Sequence, residues 1–230
     1  MPPPKGHSRR AARPTAAANG AAAPARVACV LFDLDNTLID TDPLMREALD
    51  HCGCEGADTL SCGDLRTLSP NQLLRRLNSQ LDAAQFWSHY RRLVGGRAEL
   101  LDPETPRVLR ALRDRGVQLG LVTSSVKPPT IAALRRCGIL AYFEPCLVTY
   151  SRQLRPKPHP DPIRRALELL GTAAEAAMYV GDAVRDACAS HGAGVRFALA
   201  GWAPGVDPAT FAALGPTTVL RSAADLLRHT

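Results

Sequence analysis

The sequence predicts an α/β protein built on a doubly wound parallel sheet, with a small all-helical insertion after the first strand. Three observations predict it. An unbroken apolar run, Val-Ala-Cys-Val-Leu-Phe-Asp-Leu over 27–34, ends in a cluster of acids. Such a run suits a strand buried on both faces of a parallel sheet. From about residue 104 onward, short β-rich runs alternate with amphipathic stretches, the rhythm of βαβ units. Between the two, 43–101 carries helical patterns only.

The elements follow in order. After the first strand, helices are expected over 43–51, 70–81 and 82–94, the last carrying Phe86, Trp87, Tyr90, Leu93 and Val94. The stretch 104–115 sets Val108, Leu109 and Leu112 on one helical face, and Gly116 stops it. A strand over 117–122 runs into Thr123-Ser124-Ser125. A helix over 129–137 ends at Gly138, and a weaker strand follows at 146–149. The next helix, 161–170, ends at Gly171; the strand at 176–180 runs into Gly181-Asp182, and Asp182 opens a helix over 183–191. Val195–Leu199 and Thr217–Leu220 supply two more strands. The expected division is a tail over 1–26, a sheet core over 27–42 and 102–230, and a helical cap over 43–101.

Composition limits the function. With 230 residues, 46% hydrophobic and 22% charged, the chain has the material for one core and is not disordered throughout. No apolar run approaches the roughly 20 residues that a bilayer span needs. The net charge of +6 would suggest a nucleic-acid or membrane partner, except for where it sits. Lys5, Arg9, Arg10, Arg13 and Arg26 lie in an acid-free, Ala/Pro-rich segment, leaving 23 basic and 22 acidic residues for 27–230. That segment reads as a disordered tail without the apolar region of a secretory signal. Neither a nucleic-acid nor a membrane partner is expected. Seven scattered cysteines fit a reduced, cytoplasmic setting. His51, Cys52, Cys54 and Cys62 match no standard zinc spacing and read as ordinary small hydrophobes.

Four short signals fall at or beyond the C-terminal ends of expected strands, the edge where open parallel sheets bind ligands. Asp33-Leu34-Asp35 aims two carboxylates the same way after a buried strand. Thr123-Ser124 offers hydroxyls to a phosphoryl oxygen. Lys157 sits between prolines in Arg-Pro-Lys-Pro-His-Pro, and it is one of only three lysines beside 25 arginines. In Gly181-Asp182-Ala-Val-Arg-Asp186, the two acids lie one helical turn apart. Each signal alone also reads as a turn, a helix cap or a solvated charge; together on one edge they read as a site. Four carboxylates in one pocket repel, and all-oxygen ligands select Mg²⁺ to offset them.

In this order the four motifs resemble those of the haloacid dehalogenase superfamily of phosphohydrolases, in its phosphoglycolate-phosphatase-like branch with a helical cap on a Rossmann-like core. The resemblance spans about 27–200, with Asn36 where Gly is commoner. It implies that Asp33 is the nucleophile forming an aspartyl-phosphate and that Asp35 is the acid and base. It implies that Asp182 binds Mg²⁺ directly, as do Asp33 and the Asp35 carbonyl, with Asp186 acting on the metal through water or its neighbours. Thr123, Ser124 and Lys157 would hold the phosphoryl group. The reaction implied is hydrolysis of a small phosphorylated metabolite by a monomer or homodimer. Dehalogenating members lack the acid at the Asp35 position. Phosphonate-cleaving members use a cap lysine, and none lies between 41 and 104; a sugar-phosphate mutase of the same superfamily is an alternative, weakened by the same absence. A receiver-like phosphoryl-accepting module is the alternative from another class; the first-strand position of Asp33 and the long insertion count against it. The cap offers Arg46, Arg66, Arg75, Arg76, Arg91, Arg92 and Arg97. One or more is expected to meet substrate and the rest to be solvated, with Trp87 and Tyr90 as packing residues.

Overall fold

Apolar residues without polar interruption form the central strand β1 (Cys29–Phe32), all four of them buried. The computed structural model describes residues 26–54, 56–61, 70–77, 82–215 and 217–230. The expected disordered tail therefore lies outside the described residues except for Arg26, as do Cys62, Arg66 and the end of the helix expected over 70–81.

Among the described residues, three α-helices follow β1 before the next strand's βα unit: α1 (Asp42–His51), α2 (Pro70–Arg76) and α3 (Ala83–Arg97). The chain then alternates through α4 (Thr105–Asp114), β2 (Gln118–Val122), α5 (Lys127–Arg136), β3 (Leu147–Val148), α6 (Asp161–Leu170), β4 (Ala177–Gly181), α7 (Val184–Ala193), β5 (Arg196–Ala200) and β6 (Thr218–Leu220). Among the described residues all pairs of neighbouring strands are parallel, in the order β3-β2-β1-β4-β5-β6. This is the doubly wound sheet expected from the alternation. The chain leaves β1 toward β2 and later returns to its other side with β4, so the crevice of the topological switch opens over the ends of β1, β2 and β4.

Strand periodicity divides the core between the two faces of the sheet. Val30, Phe32, Leu119, Leu121, Met178 and Val180 pack with α4 and α5, while Cys29, Leu31, Val122, Tyr179 and Phe197 pack with α6 and α7. The first cluster does not stop at the sheet. It continues into Leu44, Leu49, Phe86, Leu93 and Val94 of the inserted helices. Helix α3 lies against α5, where a Cβ built on Gly95 would stand 3.3 Å from the Cβ of Ala132.

Candidate functional site

The strand ends deliver the acids. Asp33 follows β1, and its N–H donates to the Val180 carbonyl at 2.9 Å, fixing it beside the end of β4. Thr123 follows β2, with its N–H on the Val148 carbonyl at 2.9 Å. Asp182 follows β4, and Asp186 sits in the first turn of α7, where its Oδ2 accepts from the Ala183 N–H at 3.1 Å. Asp33, Asp182 and Asp186 are buried, and their oxygens lie within 4.8 Å of one another. Among the described residues this is the one His/Cys/Asp/Glu group placed to hold a metal ion. His51, Cys52 and Cys54 do not form another.

Lys157 enters this cluster from the loop between β3 and α6. It is buried, and its Nζ donates to Asp33 Oδ1 at 2.7 Å, Asp186 Oδ1 at 2.6 Å and the Tyr179 hydroxyl at 2.9 Å. The Tyr179 hydroxyl in turn donates to the Val122 carbonyl at 3.0 Å. Burial would lower the lysine's pKa, but Asp186 and Asp33 outweigh it and hold the ammonium above its ordinary value. Asp33 is pushed up to about 7, first by burial, against the pull of Lys157, with Asp186 and Asp35 adding to the rise. A carboxylate so close to an ammonium would ordinarily be depressed. Here one lysine serves more than one buried acid, so Asp33 keeps its proton to higher pH.

Asp35 is turned differently. Its Oδ2 accepts from Ser125 Oγ at 2.7 Å and Thr123 Oγ1 at 3.4 Å. Its Oδ1 is buried with no hydrogen-bond partner. Burial raises its pKa, opposed by the Ser125 hydrogen bond and by Arg185. The side chain of Asp35 is not part of the carboxylate triplet. Ser124 is exposed and lines a cavity of about 680 Å³ with Asp35, Ser125 and Lys157. Thus Asp33, Lys157, Asp182 and Asp186 meet directly, Asp35 and Thr123 meet beside them, and Ser124 stands at the cavity wall.

Tyr179, Ser125, Thr37, Trp202 and Arg185 contribute without having been singled out by sequence reasoning. Tyr179 looked like one more apolar strand residue, and Ser125 stood behind Thr123-Ser124. Thr37, the last residue of the Asp-Leu-Asp-Asn-Thr string, donates from Oγ1 to Asp182 Oδ1 at 3.2 Å, and Trp202 Nε1 donates to the Thr37 carbonyl at 2.9 Å. Arg185 lies inside the Gly-Asp-Ala-Val-Arg-Asp string, where its signal was available. It lines the cavity; burial disfavours its charge, yet Asp186, Asp33, Asp182 and Asp35 together hold its pKa above the ordinary value. Asn36 is the one non-glycine described residue with a left-handed backbone, at φ 56°. Asn tolerates that region, and its side chain ties the turn to α1: Oδ1 accepts from Thr41 N and Oγ1, each at 3.1 Å, and Nδ2 donates to Asp42 Oδ1 at 2.5 Å.

Of the described arginines in the insertion, Arg91 lines the cavity. Arg46 donates to the Ala57 and Leu60 carbonyls, Arg97 pairs with Glu47, and Arg92 contacts Ser88 and His89. Tyr90 and Trp87, expected as packing residues, both line the cavity, Tyr90 buried and Trp87 half-buried.

Gly181 admits the acid cluster. A Cβ there would meet Asp186 Cβ at 2.7 Å and its Cγ and Oδ2 at 2.8 Å. Gly181→Ala is expected to cost about 1–3 kcal/mol by overpacking and to displace the Asp186 carboxylate. Chemical denaturation and metal titration of the variant check this; a wild-type midpoint with wild-type metal affinity would refute it.

A family model described as haloacid dehalogenase-like hydrolase matches residues 30–200. The chain is 33% identical to a pyrophosphatase PpaX of Bacillus velezensis, over 89% of this chain and 97% of that one. It is 31% identical to a phosphoglycolate phosphatase of Cupriavidus necator, over 74% of this chain and 79% of that one. Among solved structures, CbbY from Rhodobacter sphaeroides in complex with phosphate superposes with a TM-score of 0.66 at 22% identity, covering 87% of this chain and 96% of that one. A haloacid dehalogenase-like family hydrolase from Streptococcus pneumoniae gives 0.69 at 20% identity, covering 88% and 97%. With the family model spanning most of the chain and these motifs at the strand ends, the chain belongs to the haloacid dehalogenase-like hydrolases.

Proposed function

We propose that this hydrolase is a Mg²⁺-dependent phosphatase that cleaves a small phosphomonoester through an aspartyl-phosphate on Asp33. The observation that carries this reading is the convergence of Asp33, Asp182 and Asp186 around Lys157 at the sheet edge. The donor set fits Mg²⁺: it is all carboxylate oxygen, buried, and richer in acids than Lys157 can neutralise. Asp33 and Asp182 would hold the ion together with the Asp35 carbonyl, and Asp186 would orient them. Bound there, Mg²⁺ would supply the positive charge that lets a carboxylate approach a phosphate dianion.

This chain's own groups account for the remaining chemistry. Asp33 attacks phosphorus in line, forming the Asp33 O–P bond as the P–O bond to the leaving group breaks. Asp35, an acid whose pKa is raised by burial, gives its proton to the leaving oxygen. It then takes a proton from the water that attacks phosphorus, and the Asp33 O–P bond breaks to release phosphate. Ser125 holds Asp35 at 2.7 Å and keeps that carboxyl turned toward the cavity. Thr123, Ser124 and Lys157 bind the transferring phosphoryl oxygens. Substrate enters through the cavity that Met45, Trp87, Arg91 and Val94 of the inserted helices line.

The test is release of inorganic phosphate from p-nitrophenyl phosphate and a panel of metabolite monoesters, with Mg²⁺ and with a chelator. Mg²⁺-dependent turnover is expected, and no release from any ester with Mg²⁺ present refutes the reading. A pH dependence follows from Asp33. Below about pH 7 it holds a proton that a bound cation must displace. Apparent Mg²⁺ affinity should weaken by up to about tenfold per pH unit there and level off above it. Calorimetric titration from pH 5.5 to 8.5 checks this, and a flat profile contradicts it.

A further inference from the structure

The cavity above the acids is larger than its reacting end requires. At about 680 Å³ it falls in the middle of the range of roughly 300–1,000 Å³ that accommodates drug-sized ligands. A phosphoryl group with a two-carbon acid, or a second phosphoryl group, fills only its floor, where Asp35, Ser125 and Lys157 stand. Apolar side chains make up much of the rest of the lining: Met45, Trp87 and Val94 face the cavity from the inserted helices, beside Arg91 and Gln72, and Pro129 and Tyr150 face it from the core.

Two aromatic rings in these walls remain accessible. Tyr90 also lines the cavity but is buried, whereas Trp87 is half-buried and Tyr150 is 48% exposed, the most exposed large hydrophobic residue described. The Tyr150 backbone N–H donates to the Ser125 carbonyl at 2.9 Å, anchoring the main chain at Tyr150 to the residue that holds Asp35. Trp87 is held by edge contacts to Phe86 and Tyr90 and by the Arg91 guanidinium, 5.6 Å from its ring centroid. An accessible aromatic ring costs free energy in water and is offset when another flat, apolar surface covers it.

We infer that the leaving group of the substrate carries a planar aromatic ring seated against Trp87 and Tyr150, so the preferred substrates are ring-bearing monoesters, not phosphoglycolate or pyrophosphate. The inference rests on the phosphomonoesterase reading and sharpens its substrate class. Cover of one ring by an aromatic face is worth about tenfold in kcat/KM.

The experiment compares phenyl phosphate, nucleoside 5′-monophosphates, glucose 6-phosphate, phosphoglycolate and pyrophosphate on the Mg²⁺-loaded enzyme. At least one ring-bearing ester is expected to exceed each of the last three by roughly tenfold or more in kcat/KM. Trp87→Ala and Tyr150→Ala should each reduce the ratio of ring to non-ring kcat/KM by roughly tenfold. Arg92→Ala, outside the cavity, should leave that ratio unchanged. Preference for glucose 6-phosphate, phosphoglycolate or pyrophosphate overturns the substrate class while leaving the phosphatase intact. A ratio unmoved by both aromatic variants overturns it as well. No phosphate release from any ester overturns both readings.

Discussion

Asp33→Asn is expected to lower phosphate release by at least about 10⁴-fold and, in the metal-free protein above pH 7, to raise thermal stability. The amide keeps the shape of the carboxylate and can still meet Lys157, but it offers no anionic oxygen to phosphorus. The stability gain comes from the same crowding that serves the chemistry. Folding raises the Asp33 pKa from its ordinary value to about 7, so between about pH 4 and 7 the folded chain binds more protons than the unfolded one. Stability from this group is therefore present at low pH, declines through that window and stays low above it. The variant lacks the decline. Thermal melts of both proteins from pH 5 to 9, alongside phosphate release, test the pair of effects. Retention of more than about a hundredth of wild-type kcat would remove Asp33 from the nucleophile's role.

Lys157→Met is expected to be the most destabilising single change in the site, by about 3–5 kcal/mol, and to abolish turnover. Methionine replaces the stem of the side chain but leaves Asp33 and Asp186 buried without the ammonium that now sits 2.7 and 2.6 Å away. The Tyr179 hydroxyl loses its donor as well. Mg²⁺ should recover part of the lost melting temperature, since a cation again offsets the acids, but not the turnover. Lys157→Arg should restore neither in full, because a planar guanidinium does not fit where a compact ammonium reaches Asp33, Asp186 and Tyr179 together. Melting curves with and without Mg²⁺, paired with phosphate release, decide it. A Lys157→Met protein as stable as wild type without metal would show that the acids are not held by this lysine.

The strand ends were legible because burial and charge change abruptly there. The apolar run into Asp33 marked β1, although the paired strand is only Cys29–Phe32. The scarcity of lysine marked Lys157, which is buried within the acid cluster. Tyr179 was hidden because a tyrosine in a buried strand is read for its ring and not for the hydroxyl at its tip. Ser125 was hidden by its neighbours, since sequence shows that hydroxyls follow β2 but not which one turns toward Asp35. Helix α3 outran its expected end at residue 94, continuing through Gly95 and Gly96 to Arg97. At Gly95 the missing side chain permits close approach to Ala132 of α5, and tertiary packing carries the helix through. Asn36 was visible as a departure from Gly, but its tie to Thr41 and Asp42 needed coordinates.

The apolar cluster shared by the sheet and the inserted helices bears on how this protein can be rebuilt. Chimeras that exchange 43–101 for the matching segment of a relative would have to carry over the counterparts of Leu44, Leu49, Phe86, Leu93 and Val94, together with a small residue opposite Ala132. Excising the segment would strip α5 and the adjoining sheet face of cover and leave a sticky, poorly soluble remnant. Specificity is more safely altered one side chain at a time from the cavity wall, where Met45, Trp87 and Arg91 can be varied without dismantling the shared interior.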